Sequence, residues 1–108
     1  MGQFDFAIKK LTSGDEVIIK PHGNSMVGLV NSGDTVVVRP ASQEHLPVGS
    51  IVLVKVRGNV YLHLIKAIRT ISKGKIQYQI GNNRGRINGW VNKGAIYGKA
   101  ISVNGMLL

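Results

Sequence analysis

Along this chain the apolar positions come in short stretches that alternate with polar residues or run continuously, and none keeps a helical period of about 3.6 residues over a useful length. Glycine and polar clusters separate them. Phe4, Phe6 and Ile8 alternate with Asp5 and Ala7 as far as a turn at residues 12–15, and residues 17–20 form a second short stretch ended by Pro21. Both read as strands. Residues 25–30 have an ambiguous period that suits a loop or one helical turn. After a turn at residues 31–34 comes the β-branched run Thr35-Val36-Val37-Val38, stopped by Pro40, and then a polar loop over residues 41–47. Residues 50–56 and 60–71 flank the hairpin signal Arg57-Gly58-Asn59, and their many β-branched residues predict partial burial on both faces. Residues 76–80 alternate cleanly. A loop holding three glycines and three asparagines follows at residues 81–89, and residues 95–103 make the last long strand. The pattern predicts a compact, mostly β domain of seven or eight short, mainly antiparallel strands, with at most one or two short helical turns.

At 108 residues and 44% hydrophobic content the chain suits one domain around one modest core, spanning residues 1–108. With no cysteine, a disulfide-stapled miniprotein is excluded and a reducing, cytoplasmic setting is expected. No apolar run approaches the roughly 20 residues of a membrane helix. The net charge of +9 is lopsided: residues 1–50 carry four basic and five acidic side chains, whereas residues 51–108 carry ten basic and no acidic ones. Such a half attracts anions, nucleic acid among them, or is a well-solvated face. The basic residues are scattered rather than gathered on a recognition helix, and six aromatics offer little base stacking.

Candidate chemistry is sparse. His22, His45 and His63 have neither cysteine nor paired carboxylates near them, which argues against a metal, and no glycine-rich phosphate loop or other cofactor motif is present. A serine and a possible base remain. Ser25 lies between a glycine-containing turn and the ambiguous turn. That position suits an N-cap, and it also suits an exposed hydroxyl beside unpaired backbone N–H groups. Strand alternation places His63 on one face with Tyr61 and Ile65, as a hydrogen-bonded structural histidine or as a neutral general base.

Gly23-Asn24-Ser25-Met26, then Gly33-Asp34 and a β-branched strand, resembles the nucleophile segment of the LexA-like and type I signal peptidase superfamily of serine peptidases. The resemblance continues through residues 48–54, Tyr61-Leu62-His63-Leu64-Ile65, Ile80-Gly81-Asn82-Asn83 and Ile96-Tyr97-Gly98-Lys99-Ala100. These segments keep the superfamily's order and cover residues 19–102, the catalytic core alone. The resemblance implies a LexA/signal peptidase-like domain acting on a protein or peptide substrate, with Ser25 as nucleophile and backbone at Ser25 and Met26 as oxyanion hole. The position of the general base carries His63, as in the superfamily's histidine branch, with Lys66 a distant second.

The sequence departs from that pattern at several positions. Gly28 stands where a proline is common, Leu64 where an arginine often follows the base, and no carboxylate lies after residue 50 to orient His63. Asn88 or Asn83 could hold the imidazole through a side-chain oxygen, without stabilising its positive form by charge, or the site is a simple Ser–His dyad. Arg84 and Arg86 are candidates for a substrate carboxylate or an anionic partner, or are solvated loop charges. The 24 residues before Ser25 read as two strands and no helix-turn-helix, so the expected substrate is another protein. The competing expectation is a catalytically weak or inactive binding module on the same fold, holding nucleic acid or a protein partner through the basic half.

Overall fold

The computed structural model describes residues 2–108. Helix α1 (Asp5–Thr12) is followed by strands β1 (Val17–Ile19), β2 (Val36–Pro40), β3 (Ile51–Val56), β4 (Asn59–Thr70), β5 (Ile76–Gly81), β6 (Ile87–Asn92), β7 (Ile96–Val103) and β8 (Met106–Leu107). Short 3₁₀ turns occupy Ala41–Gln43, Ser72–Gly74 and Lys93–Ala95. All strand pairs are antiparallel and belong to one sheet of order β1-β2-β7-β3-β4-β5-β6, with β8 added to the end of β7.

The N-terminal segment differs from the sequence expectation. Alternation through Phe4, Phe6 and Ile8 predicted a strand, yet residues 5–12 are helical. Phe4, Ala7 and Leu11 are buried at helical spacing, while Phe6 is 70% exposed. Asp5 in the first turn and Lys9 and Lys10 in the last complement the helix dipole. Tertiary burial, acting on positions three and four apart, overrode a period-two pattern only five residues long. The helix packs tightly over β7: a Cβ added to Gly98 would lie 2.6 Å from Val38 Cγ1, 2.7 Å from the Arg39 carbonyl oxygen and 3.0 Å from Leu11 Cδ1.

Both faces of the central strands are buried, as their β-branched content predicts. Ile51 and Leu53 of β3 and Leu62 and Leu64 of β4 join a core with α1, β1, Met26 and Val30. Val52, Val54 and Val56 of β3 and Ile65 of β4 join a second core with Tyr78, Ile80 and Val91. Central β3 is thereby sealed on both sides, which makes the adjoining β4 a rigid mount for its side chains. Antiparallel pairing of β4 with β5 begins at Leu64 opposite Gly81 and slips between Ile65 and Ala67, so the first half of β4 has no β5 neighbour. That open flank is where the candidate site forms. No helix among the described residues is long and apolar enough to cross a membrane.

Candidate active site

Ser25 sits on a compact turn pinned from below. Val27 N–H bonds to the Asn24 carbonyl at 3.3 Å, and Leu29 and Val30 N–H to the Met26 carbonyl at 3.0 and 2.8 Å. Met26 and Val30 are buried in the first core, so the turn is anchored by the side chains that follow the serine. Gly28 adopts φ +96°, a conformation costly for residues with a Cβ, and donates to Asn31 Oδ1. The glycine that replaces the superfamily's common proline thus closes this turn by its own geometry. Among the described residues the backbone N–H groups of Ser25 and Met26 take no part in the hydrogen bonds that fold the turn.

His63 comes from β4, opposite Val52 of β3, on the face shared with Tyr61. Its ring stacks on the Tyr61 ring, with centroids 4.6 Å apart and planes 21° from parallel. Nε2 lies 3.1 Å from Ser25 Oγ and Nδ1 lies 2.7 Å from Asn88 Oδ1. A carboxamide oxygen only accepts, so Nδ1 carries the proton and Nε2 is left to accept the serine hydroxyl. Burial pushes the His63 pKa below its ordinary 6.5, the Asn88 hydrogen bond pulls it back up, and the Arg86 charge pushes it down. The imidazole is therefore neutral at neutral pH, the form a general base requires. Ser25, Tyr61, His63, Asn82, Arg86 and Asn88 line an open pocket of about 240 Å³. A second cavity of about 100 Å³ also touches Ser25, Tyr61 and His63 and is walled further by Phe4, Pro21, His22, Val30 and Leu62.

The two asparagines singled out from the sequence take different positions. Asn88, on β6, holds the imidazole. Asn83 does not reach it: its N–H donates to the Ser25 carbonyl at 3.0 Å and its Nδ2 to the Val27 carbonyl at 2.9 Å, so it clasps the serine turn instead. Lys66 lies at the β4 irregularity and donates to the Asn82 carbonyl at 3.3 Å. Arg86 lines the pocket, whereas Arg84 is exposed on the loop and lines neither cavity.

Sequence reasoning missed two supports. Buried Asn82 accepts the Arg84 and Arg86 N–H groups on Oδ1 at 2.8 and 2.9 Å, and its own N–H donates to the Arg86 carbonyl at 2.9 Å. These bonds shape the loop that delivers Arg86 and Asn88. An asparagine inside a glycine-rich loop carries the signal for such a side-chain-organised turn. Tyr61 shares the His63 face by alternation, so its stacking was legible in principle. Among the described residues no group of three or more His, Cys, Asp or Glu side chains is placed to hold a metal.

A family model described as Peptidase S24-like matches residues 2–83, which include α1, the Ser25 turn, His63 and the Asn82–Asn83 clasp. Arg86 and Asn88 lie beyond the match. No curated protein matches the chain.

Proposed function

We propose, on the premise that this chain belongs to the Peptidase S24-like family, that it is a serine endopeptidase acting on protein or peptide substrates, with Ser25 as nucleophile and His63 as general base. The observation that carries this reading is the continuous chain from Ser25 Oγ to His63 Nε2 and from His63 Nδ1 to Asn88 Oδ1, at 3.1 and 2.7 Å. Both separations lie within hydrogen-bond reach, and the tautomer set by Asn88 is the one that removes a serine proton.

Ser25 Oγ attacks the scissile carbonyl carbon as its proton passes to His63 Nε2. The carbonyl oxygen takes up negative charge and is met by the Ser25 and Met26 N–H groups, which the turn leaves unspent. As the tetrahedral species collapses, the C–N bond breaks and the imidazolium proton goes to the leaving amine. Water then attacks the acyl-Ser25 carbonyl, giving its proton to Nε2, and the proton returns to Oγ as the carboxylate product leaves. Asn88 is a positioning residue that fixes the ring. Being neutral, it adds no charge to stabilise the imidazolium, so turnover is slow compared with a carboxylate-completed triad.

The test is cleavage of a defined peptide mixture, followed by mass spectrometry, for the parent and for Ser25→Ala. Cleavage is expected to vanish in the variant while its far-ultraviolet circular dichroism and thermal midpoint hold. An alanine variant that cuts the same bonds at the parental rate overturns the assignment.

A further inference from the structure

A third cavity, of about 260 Å³, lies next to the candidate site and is lined by Arg57, Asn59, Tyr61, Arg86 and Asn88, among others. It shares Tyr61, Arg86 and Asn88 with the pocket around Ser25, so a chain lying across one enters the other. Its two cations arrive from different elements. Arg86 is delivered by the Asn82-organised loop. Arg57 stands at the tip of the β3–β4 hairpin with φ 50°, followed by Gly58 at φ 85°, the paired left-handed residues of a tight two-residue hairpin turn. Its side chain lies beside Gly89 of β6, where a Cβ would stand 3.8 Å from Arg57 Nε.

Among the described residues neither guanidinium has an acidic partner. The ion pairs among the described residues are Lys10–Asp15 and Arg39–Glu16, and every carboxylate side chain lies within residues 1–50. Two uncompensated guanidinium groups around one concave, polar space match a carboxylate, which each can grip with parallel N–H donors.

Resting on the peptidase reading above, we infer that Arg57 and Arg86 form a specificity subsite for a substrate carboxylate close to the bond presented to Ser25. The carboxylate belongs to an Asp or Glu side chain or to the end of the peptide. Support for its nearness to the reaction comes from the depressing effect of the Arg86 charge on His63. Scattered basic residues elsewhere in the second half lack this convergence on the serine pocket.

The probes are short, fluorescently labelled alanine-based peptides carrying a single Glu or Gln at each position in turn, with free or amidated ends. Two quantities are read for each Glu/Gln pair: the ratio of Kd values for the Ser25→Ala protein, and the ratio of kcat/KM values for the parent. One position is expected to favour Glu by about 10-fold, a preference that shrinks as salt is added. The ratio is expected to collapse towards one in the Arg57→Gln, Arg86→Gln double variant and to invert in favour of Gln over Glu in the Arg57→Glu, Arg86→Glu variant. An internal Glu effect identifies the side chain as the source, and an effect of the free end alone identifies the terminus. Ratios near one at every position and both ends in the parent, or a preference that survives in the double variant, overturn the subsite. Cleavage without preference sinks only the subsite. A Glu preference in binding, with no cleavage of any peptide by the parent, sinks the peptidase reading and leaves the subsite standing.

Discussion

Replacing Asn88 by Asp puts a negative charge where a neutral oxygen now accepts from His63 Nδ1 at 2.7 Å. Size and shape barely change, so the perturbation is almost purely electrostatic. A unit charge about 4 Å from the ring centre interacts with the imidazolium by about 4 kcal/mol at an effective dielectric of about 20. Opposite charges at such distances commonly shift a pKa by about 1–3 units. The lower part of that range applies here, because the pocket is open to water and Arg86 competes for the new carboxylate. His63, now held below 6.5, is therefore expected to rise by about 1–2 units. If about half the proton has moved in the transition state, about half of that energy appears in the rate, or about 0.7–1.4 kcal/mol and about 3- to 10-fold in kcat at high pH. The assay pairs an NMR titration of the His63 ring, which needs no substrate, with kcat as a function of pH on a cleaved peptide. Asn88→Ala should move the titration the opposite way, since the Asn88 hydrogen bond raises the His63 pKa. A His63 titration that does not rise in a folded Asn88→Asp variant refutes the assignment of Asn88 to Nδ1. A rise accompanied by a slower plateau refutes the idea that missing charge limits turnover.

The remaining predictions concern pH and packing. In the parent, kcat/KM should fall on the acid side with an apparent pKa below 6.5, because only neutral His63 can take the serine proton. Unfolded chains protonate His63 before folded ones do, so its contribution to stability is absent above the ordinary 6.5, turns unfavourable as pH falls through it, and levels off below the folded-state pKa. The advantage of the parent over His63→Gln in urea midpoint should accordingly be largest above that range and shrink as pH falls through it, and a constant difference would contradict the depressed pKa. Gly98→Ala should cost about 1–3 kcal/mol in urea unfolding, since its methyl would meet Val38 Cγ1 at 2.6 Å and the Arg39 carbonyl at 2.7 Å. Gly94→Ala, with nothing within 4 Å and no left-handed backbone, is the control and should be close to neutral. Equal costs for the two would mean that the tight contact of β7 with its neighbours does not constrain this fold.

Local sequence rules determined much of this protein: the breaks between strands, the Arg57-Gly58 hairpin and the two-sided burial of β3, whereas the nucleophile and base roles expected of Ser25 and His63 came from the family resemblance. Each depends on residues close together in the chain, where period, β-branching and turn chemistry act directly. They failed at α1, where Phe4, Phe6 and Ile8 alternate but the core buries Phe4, Ala7 and Leu11. They also could not divide the work between Asn83 and Asn88. Those residues are five apart, Asn83 in the loop and Asn88 on β6, and their directions are set by the slip between β5 and β6 at Ile80 and Gly81 and by the bonds of Asn82. Only tertiary structure brought residues 25 and 63 to 3.1 Å and aimed Arg57 and Arg86 into one cavity. The reason is that a local pattern sets how each segment folds, while the meeting of distant side chains depends on strand order and register, where a shift of one residue turns every side chain of a strand to the opposite face.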